Sequence, residues 1–109
     1  MSSDCLFCQL VREGDHVRRG DGVVAIRDIN PKAETHLLIL PERHVDTFRE
    51  VGEFEPEESK RILDFIAETA RELGLEDYRV LVNVGPGAGQ TVFHLHWHLL
   101  GGRVTGMPA

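Results

Sequence analysis

One stretch constrains this chain more than any other. From Thr91 to Leu100, His94, His96 and His98 alternate with Leu95, Trp97 and Leu99. Strict polar/apolar alternation is the period-two signature of a half-buried β-strand. A strand is therefore predicted over Thr91–Leu100, with its three imidazoles on one face and its apolar side chains on the other. Such a strand needs neighbours in a sheet and a packed layer over its apolar face. At about 3.3 Å per residue the Cα atoms of His94 and His98 stand roughly 13 Å apart, so three imidazoles on that line cannot enclose one tetrahedral metal ion. Two adjacent members could share a metal, or one could join ligands from elsewhere. At least one histidine is left for other work.

The remaining elements follow from local signals. Cys5-Leu6-Phe7-Cys8 opens a short amphipathic segment, with apolar residues at Leu6, Phe7, Leu10 and Val11 and Asp4 as the candidate N-cap. The CxxC spacing admits half a zinc site, which would need two more ligands. Residues 14–22 are polar and turn-rich, Val23–Ile26 reads as a strand, and Asp28 leads into a turn through Asn30-Pro31. Thr35–Leu40 is a second strand whose Leu-Leu-Ile-Leu run predicts burial on both faces. His36 starts that strand and His44 follows it. The one long helix begins at Pro56, with Glu57 and Glu58 in its first turn, and ends near Gly74. Its stripe of Ile62, Phe65, Ile66, Thr69, Ala70 and Leu73 should cover one face of the sheet. Tyr78–Val84 is a third strand, and the glycine-rich turn from Gly85 to Gly89 leads to the histidine strand as its antiparallel partner.

Composition limits the function classes. The 109 residues are of a size for one domain, 1–109, with an ordinary soluble balance of 28% charged and 41% hydrophobic residues. No apolar run approaches a membrane span, and the first residues lack the features of a signal peptide, which predicts a cytoplasmic protein. A net charge of −6 argues against a nucleic-acid groove, while a mononucleotide needs only a local phosphate site.

His94-x-His96-x-His98-Leu99-Leu100 resembles the His-φ-His-φ-His-φ-φ motif, φ being apolar, of the histidine triad (HIT) superfamily. The stretches from Ala25 to Pro31, from Thr35 to Pro41 and from Asn83 to Arg103 are similar to its small Hint-like branch, in order and at compatible spacings. Cys5 and Cys8 make it resemble the bacterial members with an N-terminal CxxC. The resemblance implies an α+β, HIT-like fold with an antiparallel sheet of about five strands, one long and one short helix, and a homodimer. It further implies that Asp28 meets the ribose hydroxyls, which suits a carboxylate with two acceptor oxygens. Leu6, Phe7, Leu10, Ile26 and Ile29 would line a base pocket, and Asn83, Gly89, Gln90 and Thr91 would contact ribose or phosphate. As isolated residues, Asp28 reads as a turn cap and the apolar set simply as core.

The activity so implied is hydrolysis at the α-phosphorus of purine nucleotide conjugates, such as nucleoside 5′-phosphoramidates, releasing AMP. His96 would be the nucleophile of a covalent nucleotidyl-histidine, with His98 on the phosphate and His36 supporting the triad's hydrogen bonds. Neutral imidazole is competent for this near pH 7. Cys5, Cys8, His44 and His94 would hold one structural zinc, with no metal needed for the chemistry. The alternatives are a diadenosine polyphosphate hydrolase, a nucleotide-binding regulatory module with little turnover, and a catalytic metal centre. The segment between Val11 and Ala25 is shorter than is usual in the family, Arg27 replaces a residue that is often His, and Met107 stands where a tryptophan is found in animal relatives.

Overall fold

The computed structural model describes residues 5–109. Helix α1 (Leu6–Glu13) is followed by strands β1 (Arg18–Arg19), β2 (Val23–Arg27) and β3 (Ala33–Pro41), a 3₁₀ helix (Phe48–Glu53) and helix α2 (Pro56–Glu72). Strand β4 (Tyr78–Leu81), a 3₁₀ turn (Pro86–Ala88) and strand β5 (Trp97–Val104) complete the chain. The five strands form one sheet in the order β1-β2-β3-β5-β4, every neighbour antiparallel. This is the α+β architecture expected. The fifth strand is the two-residue β1, which carries no apolar pattern, and the 3₁₀ segments were not foreseen.

Alternation along the strands sorts side chains into two cores. Val23, Ala25, Leu37, Ile39, Leu95, Trp97 and Leu99 pack with Ile62, Phe65, Ile66 and Ala70 of α2. Val24, Ile26, Leu38 and Leu40 pack with Phe7 and Val11 of α1. The Leu-Leu-Ile-Leu run is thus buried on both faces, because each face has its own helix. Pro56 starts α2 as its first residue, and Gly74, at φ 74°, closes it in the left-handed region that glycine tolerates. Leu73 ends outside the expected stripe, 39% exposed.

Three local boundaries differ from the sequence expectation. Asp4 lies outside the described residues; the N-cap of α1 is Cys5, whose sulfur accepts from the Cys8 N–H at 3.3 Å. Strand β4 ends at Leu81 rather than Val84, so a long loop rather than a tight hairpin joins it to β5. The ladder of β5 begins only at Trp97. Upstream of it the chain is anchored by other bonds: the Leu95 N–H donates to Val45 O at 2.8 Å and the His94 imidazole to Pro41 O at 2.8 Å. The alternation of His94, Leu95 and His96 persists without the ladder, because Leu95 still enters the α2 core while Phe7 of α1 packs against the rings of His94 and His96.

Candidate active site and metal site

Register brings the central histidines together. Leu38 of β3 stands opposite His98 of β5, and His36 opposite Leu100. His36 and His98 are therefore diagonal neighbours on the α1 face, within reach of long side chains. His36 Nε2 lies 2.9 Å from His98 Nδ1. The backbone N–H of Lys32 donates to His36 Nδ1 at 3.0 Å, which leaves the proton of a neutral His36 on Nε2. That proton is donated to His98 Nδ1, so His98 in turn carries its proton on Nε2. His98 Nε2 is the one buried side-chain nitrogen or oxygen among the described residues without a partner. A buried donor left unsatisfied is costly, and such groups concentrate where a ligand completes them.

His96 is set the opposite way. Its Nδ1–H donates to the His94 carbonyl at 2.7 Å, so the lone pair resides on Nε2. The ring packs edge-on to Phe7, with centroids 5.0 Å apart, and 5.0 Å from the His98 ring. Burial lowers the pKa of His96, and takes that of His98 to about 4, keeping both imidazoles neutral near pH 7. Burial lowers His36 too, against the opposing pull of the Asp28 carboxylate. The Asp28 Oδ2 stands 3.3 Å from His36 Nε2, while its Oδ1 accepts the Asn30 N–H at 2.8 Å. Asp28 thus caps the turn and faces the histidine pair at once. Asp28, His36 and His98 also have ligand atoms close enough to gather an ion, but the 2.9 Å contact has the length of a hydrogen bond.

A cavity of about 260 Å³ opens over His96. Leu6, Phe7, Leu10 and Ile26 supply apolar lining, and Asp28 and Thr91 supply polar lining. Ile29 is also on the lining and is fully exposed. The structure therefore gathers Phe7, Asp28, Ile29, Thr91 and His96 around one space. Asn83, Gly89, Gln90 and the fully buried His98 are not among the residues lining it. Asn83 donates to Pro108 O at 3.1 Å, tying down the C-terminal segment. Gly89, at φ 100°, turns the loop, and its N–H is taken by Pro86 O. The buried Gln90 carboxamide accepts from the Gly85 N–H and donates to the Asp46 and Val92 carbonyls, at 2.8–3.1 Å. Its own N–H bonds Gly85 O, so Gln90 braces the loop that presents Thr91. Lys32 also lines the cavity, and sequence pattern gave no reason to single it out.

The second constellation lies beside His94. Ligand atoms of Cys5, Cys8, His44 and His94 all fall within 4.8 Å of one another. Cys8 Sγ is 3.2 Å from His44 Nδ1 and 3.4 Å from His94 Nδ1, and Cys5 Sγ is 3.5 Å from His94 Nδ1. Tetrahedral bonds of about 2.0 and 2.3 Å place N and S ligands roughly 3.5 Å apart, so the set fits such an ion. Both outer nitrogens are held: His44 Nε2 donates to Asp46 at 2.8 Å and His94 Nε2 to Pro41 O at 2.8 Å. That turns both Nδ1 lone pairs toward the sulfurs, the orientation a metal requires. Burial, with Cys5 beside it, pushes the Cys8 thiol up to about 11. A Cys₂His₂ set with no open position describes a structural site.

Comparisons with known proteins identify the family of the chain. Residues 9–105 match the HIT domain family, and the chain belongs to it. It is 35% identical over 111 residues to the purine nucleoside phosphoramidase of Escherichia coli, covering 97% of this chain and 93% of that one. A HIT family hydrolase from Legionella pneumophila superposes with a TM-score of 0.85 at 39% identity, covering 96% of this chain and 98% of that one. A zinc-bound histidine triad family protein from Mycobacterium smegmatis superposes at 0.76 with 29% identity, covering 94% and 78% respectively. The fold, the family and a hydrolase relationship are thereby established.

Proposed function

We propose that this protein hydrolyses purine nucleoside 5′-phosphoramidates or related conjugates to AMP through a nucleotidyl-His96 intermediate. The observation that carries the reading is the opposed pair of tautomers. His96, on the cavity lining, presents a lone pair on Nε2, and the fully buried His98 behind it presents an unpartnered N–H on Nε2, on rings 5.0 Å apart. A nucleophile beside a donor is what attack at phosphorus needs. The phosphoramidase relative supports the substrate class.

The steps follow from these groups. Purine binds between Leu6, Phe7, Leu10 and Ile26, and Asp28 receives the ribose hydroxyls. The bound phosphate anion, with Asp28, favours one proton on the His36–His98 pair. The His96 Nε2 lone pair forms a bond to the α-phosphorus as the P–N bond breaks. The departing nitrogen keeps that electron pair and takes the pair's proton from His98 Nε2. Water then attacks phosphorus and returns one proton to His98. The bond to His96 breaks, restoring neutral imidazole and releasing AMP.

Cys5, Cys8, His44 and His94 would hold one zinc ion per chain, which supplies structural cross-linking between α1 and the segment that carries His96. We further propose a homodimer, which strand β4 supports. It is the sheet's edge, and Tyr78 and Val80 on it are each 42% exposed. An unpaired edge carrying apolar side chains is a template for a second copy. No helix of the described residues is long and apolar enough to cross a membrane.

AMP release from adenosine 5′-phosphoramidate by wild type beside His96→Asn tests the reading. Turnover lost in the variant supports it, and equal turnover overturns it. Tight AMP binding without turnover in either protein would instead favour a regulatory nucleotide-binding module.

A further inference from the structure

The catalytic reading assigns no task to the side chain of Lys32. Its backbone is fixed on both sides, the N–H donating to His36 Nδ1 and the carbonyl accepting from the Thr105 N–H at 2.7 Å. The side-chain stem runs beside Gly106, whose added Cβ would meet Lys32 Cδ at 3.4 Å. Lys32 is half-buried, lines the cavity with His96 and Asp28, and joins no ion pair among the described residues. A lysine withdrawn from water is ordinarily paired. Its charge reaches the site, since it opposes protonation of His36. The whole chain carries −6, so an anion approaching this cavity needs a local cation. Arg27, the other cation on the lining, is exposed and, with Leu10 and Ile26, also borders the trough beside Asp15 and His16.

Resting on the proposed phosphoramidate chemistry, the geometry points to Lys32 as the residue that selects the leaving group, favouring conjugates whose departing amine carries an anionic substituent. The apolar lining takes the base, Asp28 the ribose and His96 the phosphorus. In-line displacement sends the leaving group away from His96, and of the lining left over Lys32 is the one cation that is half-buried and borders this cavity without also bordering the trough beside Asp15 and His16. A carboxylate or phosphate on that group pairs with the Lys32 ammonium. The bond changes are those already given: the P–N electron pair goes to nitrogen with a proton from the histidine pair, and Lys32 transfers nothing.

The test uses full-length protein and three AMP phosphoramidates, joined to propylamine, β-alanine and 2-aminoethyl phosphate. The reading expects kcat/KM for the two charged conjugates to exceed the neutral one roughly fivefold, as a partly exposed charge pair allows, and the advantage to shrink with salt. Lys32→Gln should bring the ratio near one, and Lys32→Arg should retain it. A loss for 2-aminoethyl phosphate alone would assign Lys32 to phosphate, and for β-alanine alone to carboxylate, both within the proposal. Equal rates for all three in wild type, or an unchanged ratio in Lys32→Gln, would overturn it while leaving the phosphoramidase reading intact. No turnover of any of them would overturn both.

Discussion

His36 donates from Nε2 to His98 Nδ1 across 2.9 Å, and because Lys32 N–H occupies the other nitrogen of His36, that bond runs in one direction only. The result is a relay that ends on a buried N–H, His98 Nε2, beside the ring of His96. Its removal should be felt at His96 without His36 touching the reacting atoms. His36→Ala is expected to lower kcat by about 10–100-fold, the usual scale for a partner that orients a reacting imidazole, with a smaller change in KM. A merely structural role would not alter the His98 tautomer. Nitrogen-15 NMR of the imidazoles should show the proton on Nε2 in wild type and a mixture in the variant. An unmixed Nε2–H form in both would remove the relay.

Acid should loosen the fold at this same pair. Burial takes His98 to about 4, from an ordinary value near 6.5, so the unfolded chain binds more protons than the folded one between those values. The stability His98 confers is complete above about pH 6.5 and falls as pH drops toward about 4. Thermal melts at fixed zinc should show Tm lower by on the order of 5 °C at pH 5 than at pH 7. His98→Asn should flatten that slope, and an unchanged slope would place the acid sensitivity elsewhere.

Metal uptake should be steeply pH-dependent. The Cys8 thiol, pushed up to about 11 by burial, is protonated at neutral pH and must release that proton to bind a metal. Zinc titration calorimetry in buffers of different ionisation enthalpy should report one to two protons released per ion. Affinity should rise about tenfold per pH unit for each. Cys8→Ser should bind zinc at least 100-fold more weakly and lose the zinc-dependent rise in Tm. Binding of well under one ion per chain, with zinc supplied, would mean the four residues do not hold it.

Gln90 separates a brace from a ligand contact. Its carboxamide makes three bonds to backbone groups, so Gln90→Ala should cost about 1–3 kcal/mol from buried groups left unpaired. A lowered urea midpoint with no ligand present would confirm the brace. An unchanged midpoint with weakened AMP binding would instead make it a contact.

Which of these features the sequence could disclose depends on the kind of order behind them. Alternation at His94–Leu99 and the run Leu37–Leu40 were legible because burial imposes the pattern, whether or not a ladder bond is present. That is why the alternation begins before β5 does. The helix α2 was legible from Pro56 and its apolar stripe. By contrast, β1 at Arg18–Arg19 is defined by its register with Val24 and Ala25, which leaves no mark in its own residues. The CxxC could be named as half a site, but only the fold brings Cys8 to His44 and His94. The His36–His98 bond depends on a diagonal across two strands, and the exposure of Lys32 to the cavity on how residues 105–106 pack. Gln90 stood in a motif that implied ligand contact, while its side chain is spent on the loop.

The most direct test of the account is a rapid-quench reaction of wild type with adenosine 5′-phosphoramidate, read by intact mass and fragmentation. The account predicts a transient AMP adduct on His96 that decays as free AMP appears, and none in His96→Asn. An adduct on another residue, or AMP formed at the same rate with His96 replaced, would contradict it.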